Sequence, residues 1–285
     1  MNSSLFKKSQ FKLLCSIIGF KSTDIRYIVD NIDEYYDEWF EKKINKETGA
    51  FKTHKDGTIK QRVIRPSLRE LKLIHKNIKN NILAPIELPD CVHGGVKGRN
   101  NITNAKPHQG NKYQFTTDLQ DFFPSISSKR IYNTFLSLGY SHHFSHWLTK
   151  LTTWKYELPQ GTPTSTHIAN LVFMETDKKL VQLCIKHNLT YTRFVDDLTF
   201  SSQKDFRPVL NEILGIVVND DFKLSYRKTQ YAGDQIITGI NVLLHKIDAP
   251  QKIILKAKLE QETGAVNKPY SNYLNDIRKT NNPKK

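Results

Sequence analysis

The stretch YTRFVDDLTFSS, Tyr191–Ser202, decides how the chain reads. Two β-prone segments, Tyr191–Val195 and Leu198–Ser202, flank the adjacent acids Asp196 and Asp197. That spacing predicts a hairpin, with Asp tolerated in its turn. An Asp-Asp pair is ordinarily a solvated turn. Here Phe194, Val195, Leu198 and Phe200 would hold the turn against a core, an awkward place for two like charges. Carboxylates brought together near a core either raise a pKa or recruit a cation. A catalytic reading therefore needs a third carboxylate on another strand.

Tyr113–Ile126, YQFTTDLQDFFPSI, supplies one. Gln114–Thr117 is predicted as a strand, with Asp118 at its end, the edge where ligands bind in α/β folds. Asp121 lies beyond the strand and is expected to face solvent. Asp118, Asp196 and Asp197 on neighbouring strands can hold two Mg²⁺ ions about 3.5–4 Å apart, and Mg²⁺ leaves positions open for substrate phosphates and water. Nucleases and other hydrolases use the same metal pair, so the carboxylates alone do not choose the reaction.

The bulk composition narrows the partner. The chain has 285 residues, enough for one or two domains, and 25% charged residues against 38% hydrophobic suit a globular protein. Lys and Arg number 43 against 28 Asp and Glu, a formal net charge of +15 spread along the chain. A surface this positive favours a polyanion: nucleic acid first, anionic membrane second, with a merely basic solvated surface as the bland alternative. Cys15, Cys91 and Cys184 are far apart and lack CxxC spacing, as expected of reduced thiols in the cytoplasm. No apolar run approaches the ~18 residues that span a bilayer. Phe11–Phe20 reads as a first amphipathic helix rather than a leader, because Lys12 interrupts it and no small-x-small site follows.

Residues 1–50 read as helical, with a second helix capped at Ser22-Thr23-Asp24 and running through Trp39–Phe40. FKTHKDGTIKQRVIRP (residues 51–66) is a predicted hairpin about Lys55-Asp56-Gly57 carrying Lys55, Lys60, Arg62 and Arg65. These cations could clamp a triphosphate or serve as ordinary edge-strand charges. Leu68 to Leu83 follows helical spacing. Residues 91–110 hold four of the 13 glycines and read as a structured loop, with Lys97 and Arg99 a weak phosphate signal. Residues 128–156 are predicted helical with an aromatic stripe. In Leu158–Phe173 a Pro/Gly loop feeds a helix, and Gly161 allows close backbone approach to a nucleotide or template. Val209–Val218 is a predicted helix, two or three strands follow with Lys228 in a turn, and the last forty residues read as one lysine-rich helix and a polar tail. The basic hairpin and the Gly-rich loop between the carboxylates tip the chemistry toward nucleotidyl transfer.

The order of these motifs resembles reverse transcriptases. FVDD (Phe194–Asp197) is similar to their (Y/F)xDD box, TTDLQDFFPSI and LPQGTPTS to their first and second palm motifs, and KDGTIKQRVIRP to the fingers hairpin. More narrowly, NAKPH (Asn104–His108) and ITG (Ile237–Gly239) resemble the NAxxH and VTG motifs of bacterial retron enzymes. Phe194 stands for the usual Tyr, and Ile237 for Val.

The resemblance implies an α+β right-hand polymerase: an N-terminal helical segment (1–50), fingers (51–113), a palm with antiparallel sheet (114–245), and a short helical thumb with polar tail (246–285). It implies Asp118, Asp196 and Asp197 as ligands of two Mg²⁺ (or Mn²⁺), and Lys228 as the positive group assisting pyrophosphate. Lys55, Arg62, Gln160 and Gly161 would meet the nucleotide, with Phe123 as steric gate. Arg65, Lys97, Arg99, Asn104, His108, Thr238 and Gly239 are the expected RNA or template contacts. The implied partners are dNTPs, a cognate structured noncoding RNA, its RNA-linked DNA product and an effector protein, in a cytoplasmic anti-phage system with no membrane role. The rival expectations are another bacterial reverse transcriptase, a catalytically silent RNA-binding scaffold that sequesters a toxin, and a two-metal nuclease.

Overall fold

The computed structural model describes residues 3–44, 49–54, 56–233 and 235–281, along which helices alternate with short antiparallel strands. In chain order they are α1 Ser3–Ile18, α2 Ser22–Asp30, β1 Trp39–Lys42, β2 Gln61–Ile64, α3 Arg69–Ile78, α4 Asn101–Ala105 and β3 Tyr113–Asp118. Next come α5 Phe122–Ser125, α6 Ser128–Ser137, α7 His142–Thr152, α8 Ser165–His187, β4 Thr190–Phe194 and β5 Asp197–Ser202. The last are α9 Leu210–Asn219, β6 Gln230–Ala232, β7 Gln235–Ile237, β8 Ile240–Val242, β9 Ile247–Asp248, α10 Gln251–Glu262 and α11 Pro269–Lys279. The chain folds into two discontinuous units, 1–87 with 123–172, and 88–122 with 173–285.

In the first unit Phe11, Leu14 and Ile18 of α1 and Leu71, Ile74 and Ile78 of α3 are buried, at the i, i+3, i+4, i+7 spacing of one helix face. Each such aliphatic side chain contributes roughly 1.5–3 kcal/mol by leaving water. Phe11 stacks on Trp147 of α7 with centroids 4.2 Å apart. The expected second helix stops at Asp30, and Trp39–Lys42 is a strand instead. It pairs antiparallel with β2, Trp39 opposite Ile64, and the ladder runs on through bridges Ile44–Phe51 and Thr53–Ile59. The predicted hairpin is thus the inner part of a longer ribbon. All four residues of β1 are exposed, so no alternation of buried and exposed positions marks it as a strand in the sequence.

In the second unit the central sheet has the order β4-β5-β3-β6, wholly antiparallel. Phe115 of β3 and Phe200 of β5 are fully buried, and Tyr191 of β4 stacks on Phe200 at 4.6 Å. A second sheet, β7-β8-β9, packs with α4, α10 and α11 around Ile102, Ala105, Ile237, Ile240, Val242, Ile247, Leu274 and Ile277. Two expectations are corrected here. The loop at 91–110 contains α4, whose N-terminus Asn100 and Thr103 close by reciprocal hydrogen bonds. The expected polar tail is the amphipathic helix α11, which begins at Pro269 after a turn with Gly264 at φ 64°.

Candidate active site

The β3–β5 register puts Asp118 directly opposite Asp197, at the end of both strands. The backbone beyond β3 is fastened on both sides. Leu119 N–H donates to the Asp196 carbonyl at 2.9 Å, Gln120 N–H to that of Lys223 at 2.8 Å, and Ser225 N–H to that of Asp118 at 2.7 Å. A 3₁₀ turn at Tyr226–Lys228 then brings the Lys228 ammonium to 2.5 Å from Asp118 Oδ2. Asp118 is buried, while Asp196 and Asp197 are half-buried. Burial, followed by the charges of Asp196 and Asp118, pushes the Asp197 carboxyl up to about 7 against the opposing pull of Lys228. Asp121 is exposed, as expected.

What aims these acids was not visible as a motif. Phe194 pairs with Asp197, so Val195 and Asp196 form a two-residue loop. Val195, the first loop residue, has φ 60°, where glycine is preferred and a β-branched side chain is strained. Its carbonyl accepts from Arg193 Nη1 at 2.8 Å. Arg193 and Asp177 (α8) are both completely buried, paired at 2.6 Å (Nη2–Oδ2) and 2.9 Å (Nε–Oδ1). Tyr191 OH donates to Asp177 Oδ1 at 2.8 Å, and the Phe173 ring lies 4.8 Å from the guanidinium. Burial opposes the Arg193 charge, but Asp177 outweighs it and holds the guanidinium protonated. Burial, then Asp177, keeps the Tyr191 phenol protonated too.

Residues 91–94 run beside β4, with Arg193 N–H on the Cys91 carbonyl at 2.7 Å and His93 N–H on that of Arg193 at 2.8 Å. A Cβ on Gly94 would stand 2.5 Å from Val195 N and 2.6 Å from its Cγ2. Here the glycine of the loop expected to meet phosphate instead lets the chain pass against the acid-bearing turn. The signals were an Arg in an apolar strand and an Asp in an apolar helix, but only the fold pairs them.

The other expected site residues fall in three groups. Lys55 lies outside the described residues. In the first unit Arg62 is exposed and ion-paired to Glu41 at 3.3 Å, and Phe123 is half-buried at the start of α5. Arg65 is held by Glu38 at 2.5 Å and by Glu157, and its N–H donates to the Gln160 carbonyl at 2.6 Å. Gly161 has φ 115°, and a Cβ there would lie 3.2 Å from Ile64 Cγ2, so the LPQG loop is fitted to β2.

In the second unit Lys97 is exposed, whereas Arg99 Nη1 donates to the Pro89 and Val92 carbonyls at 2.8 and 2.7 Å and folds its own loop. NAKPH and ITG meet: Asn104 Nδ2 lies 3.3 Å from Thr238 Oγ1, and Asn101 Nδ2 donates to the Thr238 carbonyl at 3.1 Å. Thr238 and Gly239 both have positive φ, forming the two-residue β7–β8 turn. Asn104 and His108, expected as RNA or template contacts, have completely buried side chains. His108 bridges Thr192 of β4 (2.8 Å) and Ser201 of β5 (2.6 Å), and burial holds it neutral with its pKa down at about 3. It braces the strands of the DD hairpin from behind.

Among the described residues, no three His, Cys, Asp or Glu side chains are arranged to hold a metal ion. By donor chemistry, however, Asp118, Asp196 and Asp197 suit a hard divalent cation, and their mutual repulsion is the strain such an ion relieves. No helix among the described residues is long and apolar enough to cross a membrane.

The site is thus an acid-bearing hairpin on an antiparallel sheet, with a lysine ion-paired to the facing acid. The chain belongs to the reverse transcriptase family: the model of the family "Reverse transcriptase (RNA-dependent DNA polymerase)" matches residues 44–246. Its similarity is to the bacterial retron type. It is 32% identical over 193 residues to Retron Ec86 reverse transcriptase of Escherichia coli, covering 66% of this chain and 60% of that protein. To Retron Se72 reverse transcriptase of Salmonella heidelberg it is 35% identical over 169 residues, covering 59% of this chain and 45% of that protein. The chain thus spans between under half and three-fifths of the length of these relatives. Among solved structures, apo telomerase from Candida tropicalis, truncated from its C-terminal domain, is 10% identical with a TM-score of 0.44, covering 79% of this chain and 59% of that one.

Proposed function

We propose that the chain is an RNA-directed DNA polymerase of retron type that copies part of a cognate structured RNA into RNA-linked DNA. The observation that carries this is the meeting of Asp118, Asp196, Asp197 and Lys228 at one strand end, with Asp197 driven up to about 7 by burial and then by its acidic neighbours. Asp118, Asp196 and Asp197 would hold two divalent ions, Mg²⁺ by preference. Bound there, such ions would lower the pKa of the attacking hydroxyl and neutralise triphosphate charge. Lys228, poised on Asp118, is the group that gives a proton to the departing pyrophosphate. Arg193 and Gly94 fix where the Val195–Asp196 loop sits. On this reading Lys55 and Arg62 take the triphosphate, Gln160 and Gly161 lie along nucleotide and template, and Phe123 excludes the ribose 2′-OH. Residues 51–113, 114–245 and 246–285 are then fingers, palm and thumb, and an effector protein and phage defence complete the system.

The test is to express the gene with its native flanking DNA and look for short DNA whose size shifts after RNase. A shifting species is the expected result. DNA without attached RNA would keep the polymerase and drop the retron type; co-purifying RNA with no DNA product would favour the scaffold reading. Gly94→Ala should cut synthesis about 100-fold, the effect of roughly 1 Å of misplacement at a reacting centre. Unchanged primer extension by this variant would show that the turn tolerates the displacement.

A further inference from the structure

Trp154, Lys155, Tyr156 and Glu157 of the first unit form a tight two-residue hairpin. Trp154 N–H donates to the Glu157 carbonyl and Glu157 N–H to that of Trp154, both at 3.1 Å. The two loop residues both have positive φ, 50° at Lys155 and 64° at Tyr156. Asn-Gly makes such a loop with little strain; a lysine and a tyrosine do not. Backbone strain of this kind concentrates at functional positions. What it holds in place here is a tyrosine ring that is 86% exposed.

Beside the ring is a cleft of about 720 Å³ lined by Lys129, Tyr132, His146, Lys150 and Lys155. Lys129 and Lys150 are exposed, and among the described residues neither pairs with a carboxylate. The acid in the lining, Asp33, already accepts from Trp154 Nε1 at 2.6 Å. Lys155 lies over the Trp154 ring, 4.3 Å from its centroid, and reaches Glu38 at 3.4 Å. Lys129 and Lys150 are therefore the two cations left for a ligand. Unpaired cations beside displayed rings are the composition that grips a single strand, with phosphate on the cations and bases on the rings. An acidic peptide would engage the lysines but leave the strained Tyr156 without a task.

We propose that this cleft is a second polynucleotide site, where a base of a single strand stacks on Tyr156 and the adjoining phosphates meet Lys129 and Lys150. It goes beyond the polymerase reading, since equilibrium binding of a strand here needs no synthesis. The test uses the full chain in metal-free buffer with fluorescein-labelled 12-nucleotide single strands of RNA and of DNA, read by anisotropy over a salt series. Tyr156→Gly is expected to weaken binding about tenfold while raising the thermal midpoint, because glycine adopts φ 64° without strain. A merely structural Tyr156 would not separate those two readouts. Tyr156→Phe should bind like the wild type, and Lys129→Ala with Lys150→Ala should reduce the log-affinity against log-salt slope by about 1.4. Loss for RNA alone or DNA alone keeps the site and identifies the strand. Undiminished binding of both strands by Tyr156→Gly, or equal competition by poly-glutamate, would overturn the proposal. A wild type that makes no DNA would leave all these outcomes unmoved.

Discussion

Replacing Asp196 and Asp197 together by Asn should lower DNA synthesis by roughly a thousandfold or more without unfolding the chain. Asn keeps the size and most of the hydrogen-bonding capacity of Asp, while the charge that gathers cations is gone. The single variant Asp197→Asn tests the electrostatics apart from activity. The folded carboxyl titrates at about 7 instead of the ordinary 3.8. The native state therefore binds this proton more tightly than the unfolded one, and stability falls as pH rises through that window. In metal-free buffer at pH 8 the Asn variant should melt a few degrees above the wild type, since about 1 kcal/mol moves Tm by roughly 2–4 °C in domains of 150–250 residues. The gap should narrow by pH 5 and close near pH 4. Equal melting at pH 8 would mean that burial and the neighbouring acids do not raise the Asp197 carboxyl, and retained synthesis by the double variant would remove the assignment of the site.

Asp177→Asn is expected to cost the most stability. Its partner Arg193 is completely buried, and a guanidinium left there without a counter-charge costs about 3–5 kcal/mol. At roughly 2–4 °C per kcal/mol, calorimetry should show Tm lower by about 6–20 °C. Synthesis measured well below that midpoint should still be reduced, because Arg193 also donates to the Val195 carbonyl. Arg193→Lys keeps the charge but cannot fork between Asp177 and Val195, so it should be better folded than Asp177→Asn yet also slow. A Tm within a degree of wild type for Asp177→Asn would show that the pair contributes nothing net.

The DD hairpin was legible because apolar residues bracket the acids, and Asp118 because it ends a strand of β-prone residues. β1 was not, since a strand exposed on both faces carries no alternation. Five-residue α4 is too short for periodicity, although Asn100 and Thr103 at capping distance were a readable sign. Pro269 and Gly264 likewise marked the start of α11 and the stop before it. Arg193 could be read only as a charge in a strand: its burial depends on an Asp sixteen positions earlier on a helix. Asn104 and His108 were legible as a motif but not as braces, because burial is a property of the finished sheet.

The discontinuity of the two units bears on the chain's birth at the ribosome. The last segment of the first unit ends at Val172, whereas β3, made much earlier, pairs only with β5 and β6 from the far side of that segment. At about 5–20 residues per second, Asp118 and its strand wait roughly 4–16 s before β5 is translated. Throughout that interval the segment Tyr113–Asp118 lacks both strands that flank it in the finished sheet, so its pairing must wait until the chain beyond the first unit has been made.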